Sequence, residues 1–383
     1  MKRLGLRSTC LAVLLVLASL AASAAGPGVP QADRWSPLTA TEGAPHRAAL
    51  PMVSAPAPAA GGGSPEYGLA FISAADYPAS EARYQKALAT GAGWNRWPLY
   101  WYHVQTNSDP NPATWNWSYG DGVVSADLAQ GLQTELILMG TPGFYATAGD
   151  PGTPLPQVGG RADARAASID GEQAISSSAS PPAGLYQPIF SDGSDVPGAG
   201  KAINAANHWA WFVYHVVDRY GPMGITHWEI WNEQDYTFFW SGSPAEYGRL
   251  LKVAYLAAKQ ADGGAQILFG GLANFQQPSF LANVLSVYNS DPLAPAHNWF
   301  FDILATHSYS HAWESWYQVW RAGVTMGNYG LSKPIWLNES GSPAWNDYPG
   351  RRGTRRAAIA RRWRRGRRIS SRARCTPSMR GRT

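Results

Sequence analysis

Seven short apolar segments recur between residues 68 and 338, each separated from the next by a stretch long enough for a crossover, and no other feature limits the fold so severely. They read GLAFIS (68–73), WNRWPLYWY (94–102), TELILMG (134–140), HWEIWN (227–232), QILFG (266–270), FDILATH (301–307) and PIWLN (334–338). Helical periodicity falls between them at 80–90, weakly at 128–132, then at 204–220, 244–261, 279–288 and 313–323. The helix at 244 is announced by Ser243 as cap, Pro244 in the first turn and Glu246 three residues after the cap. Strands joined by helices must run parallel, because a tight turn cannot connect parallel neighbours. A closed barrel and an open doubly wound sheet both satisfy this. The chain has no G-x-G-x-x-G after its first strand, and its polar residues gather where strands end. An α/β fold, the (β/α)8 TIM barrel, is therefore expected.

The remaining sequence divides by composition. Residues 1–24 read as a secretory signal peptide: Lys2, Arg3 and Arg7 precede an apolar run, and Ala22-Ser23-Ala24 offers a cleavage site. Residues 25–65, rich in Pro, Ala and Gly, read as a linker, and 66–350 as the barrel domain. A long insertion at 143–200 interrupts the barrel after its third strand. Residues 351–383 form a tail with 14 arginines, no lysine and no acidic residue. The net charge of +5 is thus misleading, since the first 350 residues hold 17 basic side chains against 26 acidic ones. Nucleic-acid binding is not expected from an acidic body, nor membrane attachment once the leader is removed. A secreted, extracellular protein is expected. Its two cysteines, Cys10 and Cys375, lie in the leader and the tail, so a large core rather than disulfides must hold the body together.

Two carboxylates stand at matching places. Glu233 follows HWEIWN and Glu339 follows PIWLN, each at a strand's end. Glycosidic bonds are cleaved by such pairs, one group attacking or activating water while the other protonates the leaving oxygen. A strand-end Glu serves equally as a structural ion-pair partner, and spacing alone leaves both open. No G-x-S-x-G, H-E-x-x-H or P-loop appears. His307 and His311 with Asp302 lack the helical zinc spacing, so neither metal nor cofactor is called for.

With Asn232-Glu233 on the fourth strand and Glu339 on the seventh, residues 67–350 resemble glycoside hydrolase clan A, the cellulase-like TIM-barrel superfamily, and are similar to its family 39 branch. The resemblance implies a retaining glycoside hydrolase acting on β-linked O-glycosides by double displacement, with Glu233 as acid/base and Glu339 as nucleophile. It also implies that Arg96 contacts the nucleophile, that Asn232 holds a sugar hydroxyl, that Tyr309 bonds the nucleophile, and that His307 lines the floor. The implied partner is an oligosaccharide, polysaccharide or glycoside; oligomeric state stays open. Trp97, Trp240 and Trp345, near strand exits, are candidate sugar platforms, although each suits core packing equally well.

Clan members continue into an eighth strand and helix, whereas this chain turns to arginine after Gly350. A reading-frame change explains arginine without lysine, and the expected barrel is incomplete, with strand eight missing. The alternative functions are a catalytically inactive truncated barrel or carbohydrate-binding protein, and a tail that binds polyanions.

Overall fold

The computed structural model describes residues 64–75, 78–147, 177–309, 312–341 and 375–377. The leader, nearly all of the linker, residues 148–176 of the insertion, His311, Trp345 and nearly all of the tail lie outside the described residues. Eight parallel strands close one barrel: β1 (Ser64–Ala70), β2 (Ala92–Tyr100), β3 (Gln133–Met139), β4 (His227–Asn232), β5 (Gln266–Leu272), β6 (Ile303–Ser308), β7 (Ile335–Ser340) and β8 (Cys375–Pro377). Each strand lies beside its sequence neighbours, and β8 closes on β1. A helix of eight or more residues follows each of the first six: α1 (Glu81–Leu88), α2 (Ser118–Ala129), α3 (His208–Tyr220), α4 (Pro244–Ala261), α5 (Phe280–Asn289) and α6 (Ala312–Gly327), with a single turn at Trp101–Val104 also following β2.

Local sequence explains most boundaries. Ser243 and Glu246 close the full capping box at the start of α4. Pro98 sits in β2 beyond Arg96, where the ladder to β1 has already ended, so its missing N–H costs no bond on that side. The second helix spans 118–129 rather than 128–132. Gly120 and Gly122 weaken its pattern, yet Gly120 is required, because a side chain there would collide with Tyr220 and Leu99.

The eighth place, expected to be missing, is taken by three residues of the tail. Cys375 pairs with Tyr67 of β1 and Leu337 of β7, and Pro377 pairs with Ser340 across an irregularity. Ladder bonds are made by backbone, so open edges accept a segment whose side chains signal no strand. The ring is complete but thin at its last stave, and no helix follows β7 among the described residues.

Inside the barrel, the N-terminal end is filled by Trp94, Leu268, Ile303, Ala305 and Trp336, with His227 stacked on Trp336 at 5.1 Å. Charged side chains begin one layer higher. The second half of the insertion is anchored against α3 and α4: Leu185, Ile189 and Phe190 are buried, Arg249 pairs with Asp195, and Asn207 donates to the Gln187 carbonyl. On the outer face of β2, Asn95 ties three elements together. Its Nδ2 donates to Asp127 on α2 (2.8 Å) and to the Ser73 carbonyl (2.9 Å), while its Oδ1 accepts from Ile72 N (3.0 Å). Tyr84 on α1 (2.8 Å) and Thr134 on β3 (3.2 Å) also donate to Asp127.

Burial pushes the Asp127 carboxyl up to about 6, against the opposing pull of these donors. A folded-state pKa above the unfolded value of 3.8 means that Asp127 contributes stability below about pH 4, lost as pH rises through about 6. The loss is at most about 3 kcal/mol. Urea titrations across that window should show this slope in the wild type and not in Asp127→Asn, which has no ionisable group at the position.

Candidate active site

Strand alternation would aim Glu229, Trp231 and Glu233 at one face. The backbone breaks that pattern at the end of β4, where Trp231 (φ 68°) and Glu233 (φ 48°) take left-handed conformations. Trp231 swings into the outer core, its Nε1 donating to the Phe239 carbonyl at 2.7 Å. Asn232 and Glu233 then both reach the barrel mouth. A left-handed residue other than glycine costs roughly 1–2 kcal/mol, so Trp231 and Glu233 strain this turn. Gly271 of β5 holds it in place: its carbonyl accepts from Glu233 N (2.9 Å) and its N–H donates to Glu229 Oε1 (2.7 Å). Any side chain at Gly271 would overlap the His307 ring.

Arg96 is the centre of the site and is fully buried. Nε and Nη2 grip Glu229 in a two-point bond of 2.7 and 2.9 Å, Nη2 also donates to Asn232 Oδ1 (2.8 Å), and Nη1 donates to Glu339 Oε2 (2.8 Å). Glu135 lies 3.7 Å from Nε. Burial would lower the guanidinium's proton affinity, but Glu229 and Glu339 more than reverse this and raise it above its ordinary value. The second oxygen of Glu339 accepts from Tyr309 OH, so both oxygens of this carboxylate are fixed by donors.

His307 faces Glu339 across the β6–β7 ladder. Its Nδ1 is hydrogen-bonded to Glu233 Oε1 at 2.9 Å, and Nε2 lies 3.7 Å from Glu339 Oε2. One imidazole therefore stands between the two carboxylates. Burial alone would lower its pKa, but Glu339 and Glu233 raise it above 6.5.

Six residues singled out in the sequence meet here: Glu233, Glu339, Arg96, Asn232, His307 and Tyr309. Two do not. Trp97 and Trp240, read as sugar platforms, are wholly buried in the core between strands and helices, with Trp240 packed on Trp231 at 5.0 Å. Odd and even positions of β2 face opposite ways, so a strand that sends Arg96 inward must send Trp97 out. Trp345 lies outside the described residues. Exposed aromatic faces instead come from Tyr309 and from Phe238 and Phe275, which both pack on Tyr236 in the loops after β4 and β5. The sequence reading also missed Glu135, Glu229, Asn338 and Gly271. The available signals were an acid inside each of two apolar strands and a Gly-Gly pair inside β5.

No family model matches the chain, and no curated protein matches it. Among solved structures it is similar to a glucosidase from Croceicoccus marinus, 12% identical with a TM-score of 0.56, over 82% of this chain and 60% of that one. It is similar also to a monomeric beta-xylosidase from Caulobacter crescentus CB15, 14% identical with a TM-score of 0.53, over 82% of this chain and 59% of that one. At such identities the likeness shows the fold alone. The chain spans about three-fifths of the length of these two structures.

Two outcomes follow from the geometry. Because its folded pKa is raised, His307 contributes stability below pH 6.5 that is lost as pH climbs through the raised value. An imidazole NMR titration should place His307 above 6.5 and nearer to it in Glu233→Gln, which removes one of the anions. Gly271→Ala should displace the His307 ring at a cost of about 1–3 kcal/mol, read by chemical denaturation.

Proposed function

We propose that the chain is a glycosidase that hydrolyses β-linked O-glycosides with retention, Glu339 serving as nucleophile and Glu233 as acid/base. The observation that carries this reading is the His307 ring, in contact with Glu233 and 3.7 Å from Glu339, which keeps two strand-end carboxylates one imidazole apart at one mouth of the barrel. Retention requires carboxyls about 5–5.5 Å apart, whereas inversion leaves about 6.5–9.5 Å for a water; retention is taken from the resemblance of Asn232-Glu233 and Glu339 to clan A, and the anomeric configuration of the first-formed product tests it. A barrel of the same fold as a glucosidase and a beta-xylosidase supports the reaction class.

The side chains divide the work. Arg96 and Tyr309 each hold one oxygen of Glu339, which fixes the carboxylate for attack at the anomeric carbon. Glu233 protonates the departing oxygen, then takes a proton from the water that cleaves the glycosyl-enzyme ester. Asn232 accepts from Arg96 through Oδ1, so its amide N–H groups are the part left to face a sugar hydroxyl. Two carboxyls, a water and the substrate complete the cycle, and no cofactor enters it. The leader-like N-terminus supports export, and a soluble or polymeric glycoside outside the cell is the matching substrate.

The three-residue β8 favours one competing reading, a barrel that binds sugar without turning it over. A panel of nitrophenyl β-xylosides and β-glucosides distinguishes the two. Glu339→Ala should abolish turnover and recover part of it with azide as external nucleophile. Glu233→Ala should slow the reaction roughly 10²- to 10⁴-fold. Saturable sugar binding with no release of nitrophenol by the unsubstituted chain would overturn the catalytic reading.

A further inference from the structure

Beneath the two mouth carboxylates lie two more that the proposed reaction does not use. Glu135 on β3 and Glu229 on β4 are both buried in the barrel interior, and both stand at the same nitrogen, with Arg96 Nε 3.7 Å from Glu135 Oε1 and 2.7 Å from Glu229 Oε2. Together with Glu339 they make three carboxylates around a single guanidinium. Two buried carboxylates gathered at one nitrogen do not both stay ionised, because each adds a like charge to a site already short of water.

Their hydrogen bonds decide which one keeps the proton. Glu229 receives Nε and Nη2 of Arg96 and the Gly271 N–H, three donors on two oxygens, which suits an anion. Glu135 receives Asn338 Nδ2 on Oε1 at 2.8 Å and has Arg96 only at 3.7 Å, so its second oxygen can carry a proton toward Glu229. Burial and the neighbouring Glu229 push Glu135 well above the carboxylate range. Burial would raise Glu229 too, but the Arg96 guanidinium holds it down. The other charged groups facing the pair are His307 on β6 and Glu339 on β7, with Glu233 beyond His307.

We propose that Glu135 and Glu229 form a one-proton carboxylic acid–carboxylate pair that clamps the Nε edge of Arg96 and thereby aims its Nη1–H at Glu339. The pair acts through Arg96 and touches no substrate, so both are positioning residues, and this role rests on Glu339 being the nucleophile. A neutral Glu135 is essential to it. An ionised Glu135 would compete for the same guanidinium and draw it off Glu339.

Two measurements on the full chain test the pair and its role separately. Infrared spectra of the Glu233→Gln protein, in which the proposed acid cannot contribute, should contain at neutral pH a buried protonated-carboxyl stretch that disappears when Glu135→Gln is added and persists when Glu339→Gln is added. Absence of that band, or its survival when Glu135→Gln is added, would overturn the shared proton whether or not the chain hydrolyses any glycoside. With a nitrophenyl β-glycoside, Glu135→Ala should lower kcat roughly 10²-fold, the scale of a misplaced reacting group. Glu135→Gln, which keeps a neutral donor, should recover most of that loss. Glu229→Gln, which takes the carboxylate from the Nε edge of Arg96, should lose activity to about the extent of Glu135→Ala. Equal losses in Glu135→Gln and Glu229→Gln would overturn the positioning role. Failure of every aryl glycoside would count against the proposed reaction and leave the infrared result to decide the pair.

Discussion

A guanidinium with no exposure to water is tolerable only when anions and acceptors meet nearly all of its N–H groups, and Arg96 is met from several strands at once. Glu229 and Asn232 come from β4 and Glu339 from β7, with Glu135 of β3 close by. None of these carboxylates has a comparable cation within the barrel among the described residues. Compensating the charge and closing the barrel are therefore the same event. Removing the guanidinium would leave a stack of buried anions with little to hold them.

The interior is layered to suit this arrangement. The N-terminal third is aromatic and aliphatic, sealed by Trp94, Trp336 and His227, so water does not reach the charged layer from below. Above it the Arg96 network occupies the middle, and His307, Glu233 and Tyr309 stand at the mouth. A low-dielectric floor strengthens each of these electrostatic contacts and makes each unpaired group costly. The polar cluster around Asp127 works on different terms. It lies outside the strands, joins α1, α2, β2 and β3, and involves no cation, so burial rather than pairing governs its proton.

Much of the fold was legible because its signals are local. Apolar runs separated by helical periods identify strands and crossovers, and the Ser243 cap marks a helix start to the residue. The glycines of α2 obscured that helix, and the tail carried no strand pattern, so β8 was invisible. Of the site, the residues with polar side chains at strand ends could be read directly. The buried layer could not, since Glu135 and Glu229 sit in mid-strand and gain meaning only from Arg96 on a neighbouring stave. The tryptophans misled for a related reason: nearness to a strand exit does not say which face a residue takes.

The sequence by itself determined that this chain forms parallel strands covered by helices, and that two acids end the fourth and seventh of them. Both follow from periodicity, which depends only on neighbouring residues. The tertiary structure decided the rest: that left-handed turns at Trp231 and Glu233 send Asn232 and Glu233 inward, that Trp97 and Trp240 fall outside the ring, and that three residues of the tail fill the eighth place. Those outcomes depend on contacts between residues far apart in the chain, such as Gly271 against His307 and Arg96 against Glu339, which come into being only when the barrel closes.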